Sequence, residues 1–520
     1  MFFGKSSYSQ QSLQDLESLD AFGTLSKTAC DMPFYQEEIQ RNRSNRSLSL
    51  RRFNHTGSPF GLKNNGNLIQ SSSDMLDASY ALEVFNNPPT SQSSSKDIQN
   101  FEKYLSSIQK YSLKNPRAIK HSFNNKEIVE SFTNLMSCDL PENTRIIILQ
   151  IMCSLFPLCE KYQETFVDNI FLFLNDLLGS PNQDMVLSTL TLITVISNFS
   201  SYGRDALISL DTHVEISNLL LNILGNIPQN YAETNIEHVI DIASDSIYHL
   251  FANPAQIERH EILIDFLPNI VRILQALNPA MKSSINSIIM TMVEMSNKYP
   301  LLVPKYYEMN LFPFFIKLLN DEDLRGSALC LIGNCCCGAN PSQIGVFLDE
   351  GLINYLLQFF QTDFATDSFW IFSNLLQSIP NVILPIISNQ DFIQNVINIA
   401  SSSSFDLKKE ASYLLSTIII FSGMANIKPF ITNDVFDIFT DILSCGDQKI
   451  ISRCIYAFAK FATAAVQEGP QACAKLLEIV ASSDLLSTLE SIAENKIDEN
   501  ISDKAELLHD QLISLQESNP

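Results

Sequence analysis

The sequence contains a single tryptophan, Trp370, among its 520 residues. No apolar run reaches the ~18 residues needed to cross a bilayer as a helix, so no membrane insertion is expected. The chain has 11 cysteines but no C-x-x-C pair, the spacing that marks structural zinc and dithiol redox sites. Cys153, Cys159, Cys330, Cys335, Cys336, Cys337, Cys445 and Cys454 fall within apolar helical pattern and read as buried reduced thiols. The histidines (55, 121, 213, 238, 249, 260 and 509) are scattered without ligand spacing, so neither a metal nor a cofactor is expected. The phosphate-cradling G-x-x-x-x-G-K-[ST], the dinucleotide fingerprint G-x-G-x-x-G and the zinc-protease H-E-x-x-H are all missing, and nothing points to catalysis. Basic residues are scarce. Against 57 Asp and Glu stand 34 Lys and Arg, giving a net charge of −23. Such a surface repels nucleic acid and anionic membrane and suits basic protein partners. The opening MFFGKSSYSQQSLQDLESLD turns polar and acidic at once, unlike a secretory signal, so a cytosolic or nuclear location is expected.

What the chain does have is repetition. The phrases ALCLIGNCCCG, DSFWIFSNLLQS, KKEASYLLSTIIIFSG and ISRCIYAFAKFA place Asn334, Asn374, Thr417 and Lys460 at steps of 40, 43 and 43 residues. A second phrase recurs independently. FLPNIVRIL, LFPFFIKLL, LINYLLQFF, FIQNVINIA and VFDIFTDIL begin at Phe266, Leu311, Leu352, Phe392 and Val435, at steps of 45, 41, 40 and 43. Its apolar positions form a wide helical stripe that must be buried on both sides. Gly351 separates a short helix from the long one that follows. The unit is therefore a short helix, a long helix, a polar loop and a third helix. Three helices per repeat near 42 residues define an armadillo solenoid. An all-α fold is expected, with armadillo repeats over 99–515, roughly nine of them, the last atypical.

Residues 1–98 are rich in Ser, Asn and Gln and read as a largely disordered region, with a brief helix near Leu76 to Phe85. No acid occurs between Ile39 and Ser73, while Arg41, Arg43, Arg46, Arg51, Arg52 and Lys63 lie there. A basic segment on an acidic body invites docking onto that body or onto another acidic partner. Ser44 and Ser49 each have an arginine three residues before them, a weak basophilic-kinase pattern.

Asp367, Trp370 and Asn374 share one face of a helix by their i, i+3 and i+7 spacing. An aromatic plate, an amide and a carboxylate in one stripe suit an extended basic peptide: the ring stacks on a lysine stem and the amide bonds the peptide backbone. The competing reading is a core tryptophan with an asparagine near a helix end.

At these residues the chain resembles importin alpha, the armadillo adaptor of nuclear import. ALCLIGNCCCG resembles that family's A-L-R-x-(V/I)-G-N-x-x-x-G, DSFWIFSN its E-A-x-W-x-x-S-N, and KKEASYLLST its K-K-E-A-x-W-x-x-x-N. RSLSLRR resembles part of the importin-beta-binding segment, over about residues 36–54. The resemblance implies an adaptor that binds nuclear localisation signals of basic cargo in an acidic concave groove and links them to importin beta. It implies release through an export receptor with a Ran-type GTPase, and shuttling between cytoplasm and nucleus. Asn198, Asn334, Trp370 and Asn374 match peptide-binding ladder positions, and Asp367 and Glu410 match acids that face signal lysines. Tyr413 stands for a tryptophan and Thr417 for an asparagine. Arg41, Arg43, Arg46, Arg51 and Arg52 would contact importin beta. Thr194, the pair Asp245 and His249, and the pair Ile288 and Met292 stand where other ladder members are expected, and one repeat is expected to be missing between about 216 and 266. The alternative is a divergent armadillo scaffold without cargo-signal binding.

Overall fold

In a computed structural model, residues 78–518 are described, apart from 115–119, 121–122, 227–235, 253–260, 388, 403, 424–425 and 496–497. Arg41, Arg43, Arg46, Arg51 and Arg52, with the rest of the basic segment, lie outside the described residues. Every regular element described is helical, and no described helix is long and apolar enough to cross a membrane.

The chain first forms α1 (Ala78–Asn86) and α2 (Ser95–Lys114). The brief helix expected near Leu76 to Phe85 is thus α1, and the expected boundary at 98 falls inside α2. Both helices are held by aromatic packing. Phe85 of α1 lies 5.1 Å from the ring of Phe132, and Tyr104 of α2 meets Tyr80 of α1 edge-on at 5.5 Å.

From there one row of helices runs the length of the molecule. Its members are α3 (Glu142–Leu155), α4 (Gln183–Phe199), α5 (Ile236–Ala252), α6 (Lys282–Lys298), α7 (Arg325–Gly338), α8 (Ala365–Ser378), α9 (Phe405–Phe421), α10 (Gln448–Glu468) and α11 (Glu499–Ser518). Each packs on the next, and α2 packs on α3. Among the described residues this row has nine members, α3 to α11.

The recurring apolar phrases form a second row beside the first. Helices Gln163–Leu178, Thr212–Gly225, Glu261–Ala276, Phe312–Leu318, Leu352–Gln358, Gln390–Ser402, Asn433–Leu443 and Leu485–Asn495 each pack on the row helix that follows them. Short helices such as Ser201–Ser209, Pro341–Asp349, Pro380–Ile387 and Pro470–Ser482 turn the chain from one row to the other. Their starts are encoded locally. Proline stands at the first helical position of three of them, where its missing N–H costs nothing. Asn340 and Gln343 form a reciprocal capping box. Gly351, at φ 85°, ends the short helix in a conformation that side chains other than glycine resist. The result is an armadillo-repeat superhelical solenoid.

Among the described residues the repeats on either side of the interval from 216 to 266 are contiguous. α5 packs on both α4 and α6, and helices Thr212–Gly225 and Glu261–Ala276 are direct neighbours. The 50 residues between the starts of these two copies include 227–235 and 253–260, which lie outside the described set.

Burial follows from this stacking. A row helix has neighbours before it, behind it and on its flank, so its apolar residues need not keep to one stripe. In α7 every residue from Gly326 to Cys336 is buried. Six of the eight thiols expected to be buried are so, while Cys337 and Cys445 are half-buried.

Candidate functional site

The row helices carry all the ladder residues expected from the sequence, and their side chains mostly turn toward the preceding helix. Asn334 is 9% exposed and its Nδ2 donates to the Val293 carbonyl at 3.2 Å and to Ser296 Oγ at 3.3 Å. Asn374, 5% exposed, donates from Nδ2 to the Gly333 carbonyl at 3.4 Å. Ser378 repeats the move, donating to the Cys336 carbonyl at 3.1 Å. The Cys336 carbonyl lies in the last turn of α7, where a helix runs out of internal donors, while Val293 and Gly333 lie about one turn earlier in α6 and α7. One helix thus supplies side-chain donors to the end of the helix before it.

Trp370 is 2% exposed. Its six-membered ring sits directly over Gly333, so closely that a Cβ there would fall inside the ring. Glycine is what lets α8 approach α7 this far. Asp367 lies in the first turn of α8, half-buried, where a carboxylate also favours the helix N-terminus. Asp367, Trp370 and Asn374 therefore share one helix as expected, with the ring and the amide inside the stack.

In α9, Glu410 is 8% and Tyr413 is 0% exposed. The guanidinium carbon of Arg453, from α10, stands 4.3 Å from the centre of the Tyr413 ring. Thr417 donates to the Tyr413 carbonyl of its own helix at 2.6 Å. Its hydroxyl is too short to do what Asn334 and Asn374 do. One repeat on, Lys460 has the reach: its Nζ donates to the carbonyls of Ile420 and Ser422, at 2.8 and 2.6 Å, at the end of α9. Burial lowers the Lys460 pKa to about 8.

Toward the N-terminus the ladder changes character. Asn198 is exposed at the end of α4. Thr194 shares a hydrogen bond of 2.8 Å with Ser246, which also donates to the Leu190 carbonyl. Asp245 and His249 pair with each other at 3.4 Å. The register expected in α6 is corrected. Asn374 bonds the residue before Asn334, and Asn334 bonds Val293, so the equivalent member is Glu294, not Met292. Met292 and Ile288 are core residues with no exposed surface. Neither an asparagine nor an aromatic residue stands at the ladder positions of α6, which is why the period alone misplaced the register by two residues.

Glu294 belongs to a charged cluster that sequence reasoning missed. Lys298, one turn later, donates to the Phe251 carbonyl at the end of α5. Burial lowers the Lys298 pKa to about 8, with Glu294 opposing the shift. Arg204, buried in helix Ser201–Ser209, lies 3.7 Å from Asp205 and contributes to the same field. The i, i+4 spacing of Glu294 and Lys298 was visible in the sequence, but nothing there placed Arg204 beside them.

A scan against family models gives no match, and a search of curated proteins gives none. Among solved structures, the chain is similar to a crystal structure of an engineered protein from a structural genomics consortium. That match has a TM-score of 0.62 at 13% identity and covers 86% of this chain and all of the other. It concerns the fold alone. Designed armadillo-repeat proteins also match, each over 47% of this chain and 98% of its own length, at 17% identity and a TM-score of 0.39. One of them is in complex with the peptide (KR)4, and another was designed for modular peptide recognition.

Proposed function

We propose that this chain is an armadillo adaptor that binds an extended basic segment of a partner protein. In this reading the process is nuclear import: signal-bearing cargo sits on the ladder, importin beta engages residues 36–54, and an export receptor with a Ran-type GTPase recycles the adaptor between nucleus and cytoplasm. The role is one of binding, without catalysis.

The observation that carries the reading is the repeated ladder geometry. Asn334 and Asn374 make the same bond to the helix before them, one repeat apart, with the half-buried carboxylate of Asp367 on the same face as Asn374. The net charge of −23 supports a cationic ligand.

A second reading is favoured by a specific observation. Trp370 and Tyr413 are almost wholly enclosed, at 2% and 0% exposure, and Asn334 directs both amide hydrogens inward. That is how a ladder would look in a scaffold where it serves stacking alone.

Titrating a lysine-rich peptide against the wild type and Asp367→Lys at low and high salt separates the two. The adaptor predicts wild-type binding that weakens with salt and a loss of tenfold or more in the variant, because the reversed charge repels lysine. Equal affinity in both proteins, or none in either, leaves the scaffold. Recovery of a carrier from cell extract by the full chain, but not by a chain lacking residues 1–77, tests the importin-beta step separately.

A further inference from the structure

Three positions one helical turn before the ladder aromatics follow the same period. Asp367, Glu410 and Arg453 are separated by 43 residues each, as are Trp370, Tyr413 and Tyr456. Two repeats carry an acid at this position and the third carries an arginine. The reversal of sign has a geometric counterpart. Arg453 does not extend into solvent from α10. It is 4% exposed and its guanidinium lies over the Tyr413 ring of the preceding repeat, 4.3 Å from the ring centre. Glu410 stands one turn before Tyr413 on the same helical face, itself buried. An aromatic face and a carboxylate, set side by side in a water-poor place, are what a lysine or arginine side chain seeks. At this repeat the ring is already engaged by a cation of the chain itself.

We propose that Arg453 is a built-in occupant of the cation subsite formed by Tyr413 and Glu410, and that it fixes where the register of a bound basic peptide ends. The inference rests on the basic-peptide reading for its ligand. A lysine or arginine of the peptide meets the half-buried carboxylate of Asp367, and is excluded from the next subsite. The peptide therefore engages fewer cationic side chains than the number of ladder helices suggests.

The test uses the full chain and two probes: an octapeptide of alternating lysine and arginine, and methylguanidinium. Arg453→Ser opens the ring and leaves Glu410 in place. The variant is expected to bind the octapeptide at least tenfold more tightly than the wild type, with a steeper salt dependence. Methylguanidinium at millimolar concentration is expected to raise the melting temperature of Arg453→Ser and not that of the wild type. Unchanged octapeptide affinity together with equal melting shifts in the two proteins overturns the proposal. So does a variant that neither folds nor is restored by methylguanidinium, since Arg453 then serves folding and fills no subsite. The two readings fail separately. If neither protein binds the octapeptide but methylguanidinium stabilises the variant alone, the peptide groove falls and the subsite stands. If the octapeptide binds both proteins equally, the groove stands and the subsite falls.

Discussion

The contact between Trp370 and Gly333 lends itself to a quantitative test. A methyl group on Gly333 would occupy the six-membered ring of Trp370. On helix propensity alone Gly333→Ala should be favourable by up to ~1 kcal/mol. Here the ring is rigid, enclosed and unable to share the space, so it must leave. Overpacking of this kind costs ~1–3 kcal/mol, and the upper end is expected because the whole ring is displaced. Trp370→Ala alone leaves a large cavity and should cost ~3–5 kcal/mol. The double variant has neither the clash nor the full cavity, because the new methyl group fills part of the vacated space. Its cost should not exceed that of Trp370→Ala, giving a coupling of about 3 kcal/mol between the two positions. Urea unfolding followed by circular dichroism measures all four proteins. As the only tryptophan, Trp370 adds a second readout: its emission should shift to the red in Gly333→Ala as the ring meets water. Additive costs with unchanged emission would refute the packing argument.

His213 provides a pH-dependent test. It is buried between Phe266, at 4.9 Å, and Phe251, at 5.9 Å, and burial lowers its pKa from 6.5 to about 4 while Asp211 opposes the shift weakly. Because the folded form resists protonation, stability is fully present above pH 6.5 and is lost as pH falls toward 4, by about 3 kcal/mol for this group. Comparison of His213→Phe with the wild type in urea at pH 7 and pH 4.5 should show a smaller acid loss in the variant, and equal losses would remove His213 from the account. Asn334→Ala removes the amide donor to the Val293 carbonyl, which keeps its bond from Ser296 Oγ, and should cost ~0.5–1.5 kcal/mol in thermal or urea unfolding. A neutral result would mean that the inter-helix bond contributes nothing.

The period was legible because each repeat must rebuild the same interface with its neighbours. Two phrases with steps near 42 residues therefore located both helical rows and the turn at Gly351. The site was legible as a set of positions and much less so as a surface. Spacing puts Asp367, Trp370 and Asn374 on one helical face, but whether that face meets solvent or the preceding helix depends on how closely the helices stack. Here a glycine at 333 brings them together. The same limit hid the role of Arg453. Its place in the period was visible, yet the reach of its side chain to Tyr413 depends on a neighbour 40 residues away in sequence. In α6, where asparagine and aromatic markers are missing, the register emerged only from the hydrogen bond of Asn334 to Val293.

The three consecutive cysteines of α7 have a use that follows from their burial. Cys335 and Cys336 have no exposed surface, Cys337 is half-buried, and burial pushes the thiols of the first two well above the ordinary cysteine range. Thiolate is the reactive form, so in the closed protein these two are inert toward alkylating reagents. They react only when α7 separates from α6 or α8. Trapping rates at Cys335 and Cys336, set against that of the buried Cys153 in α3 near the N-terminal end, would therefore act as a clock for transient opening at the middle of the array. Such a clock needs no added label. It would show whether the solenoid breathes from its termini inward or parts along an internal seam.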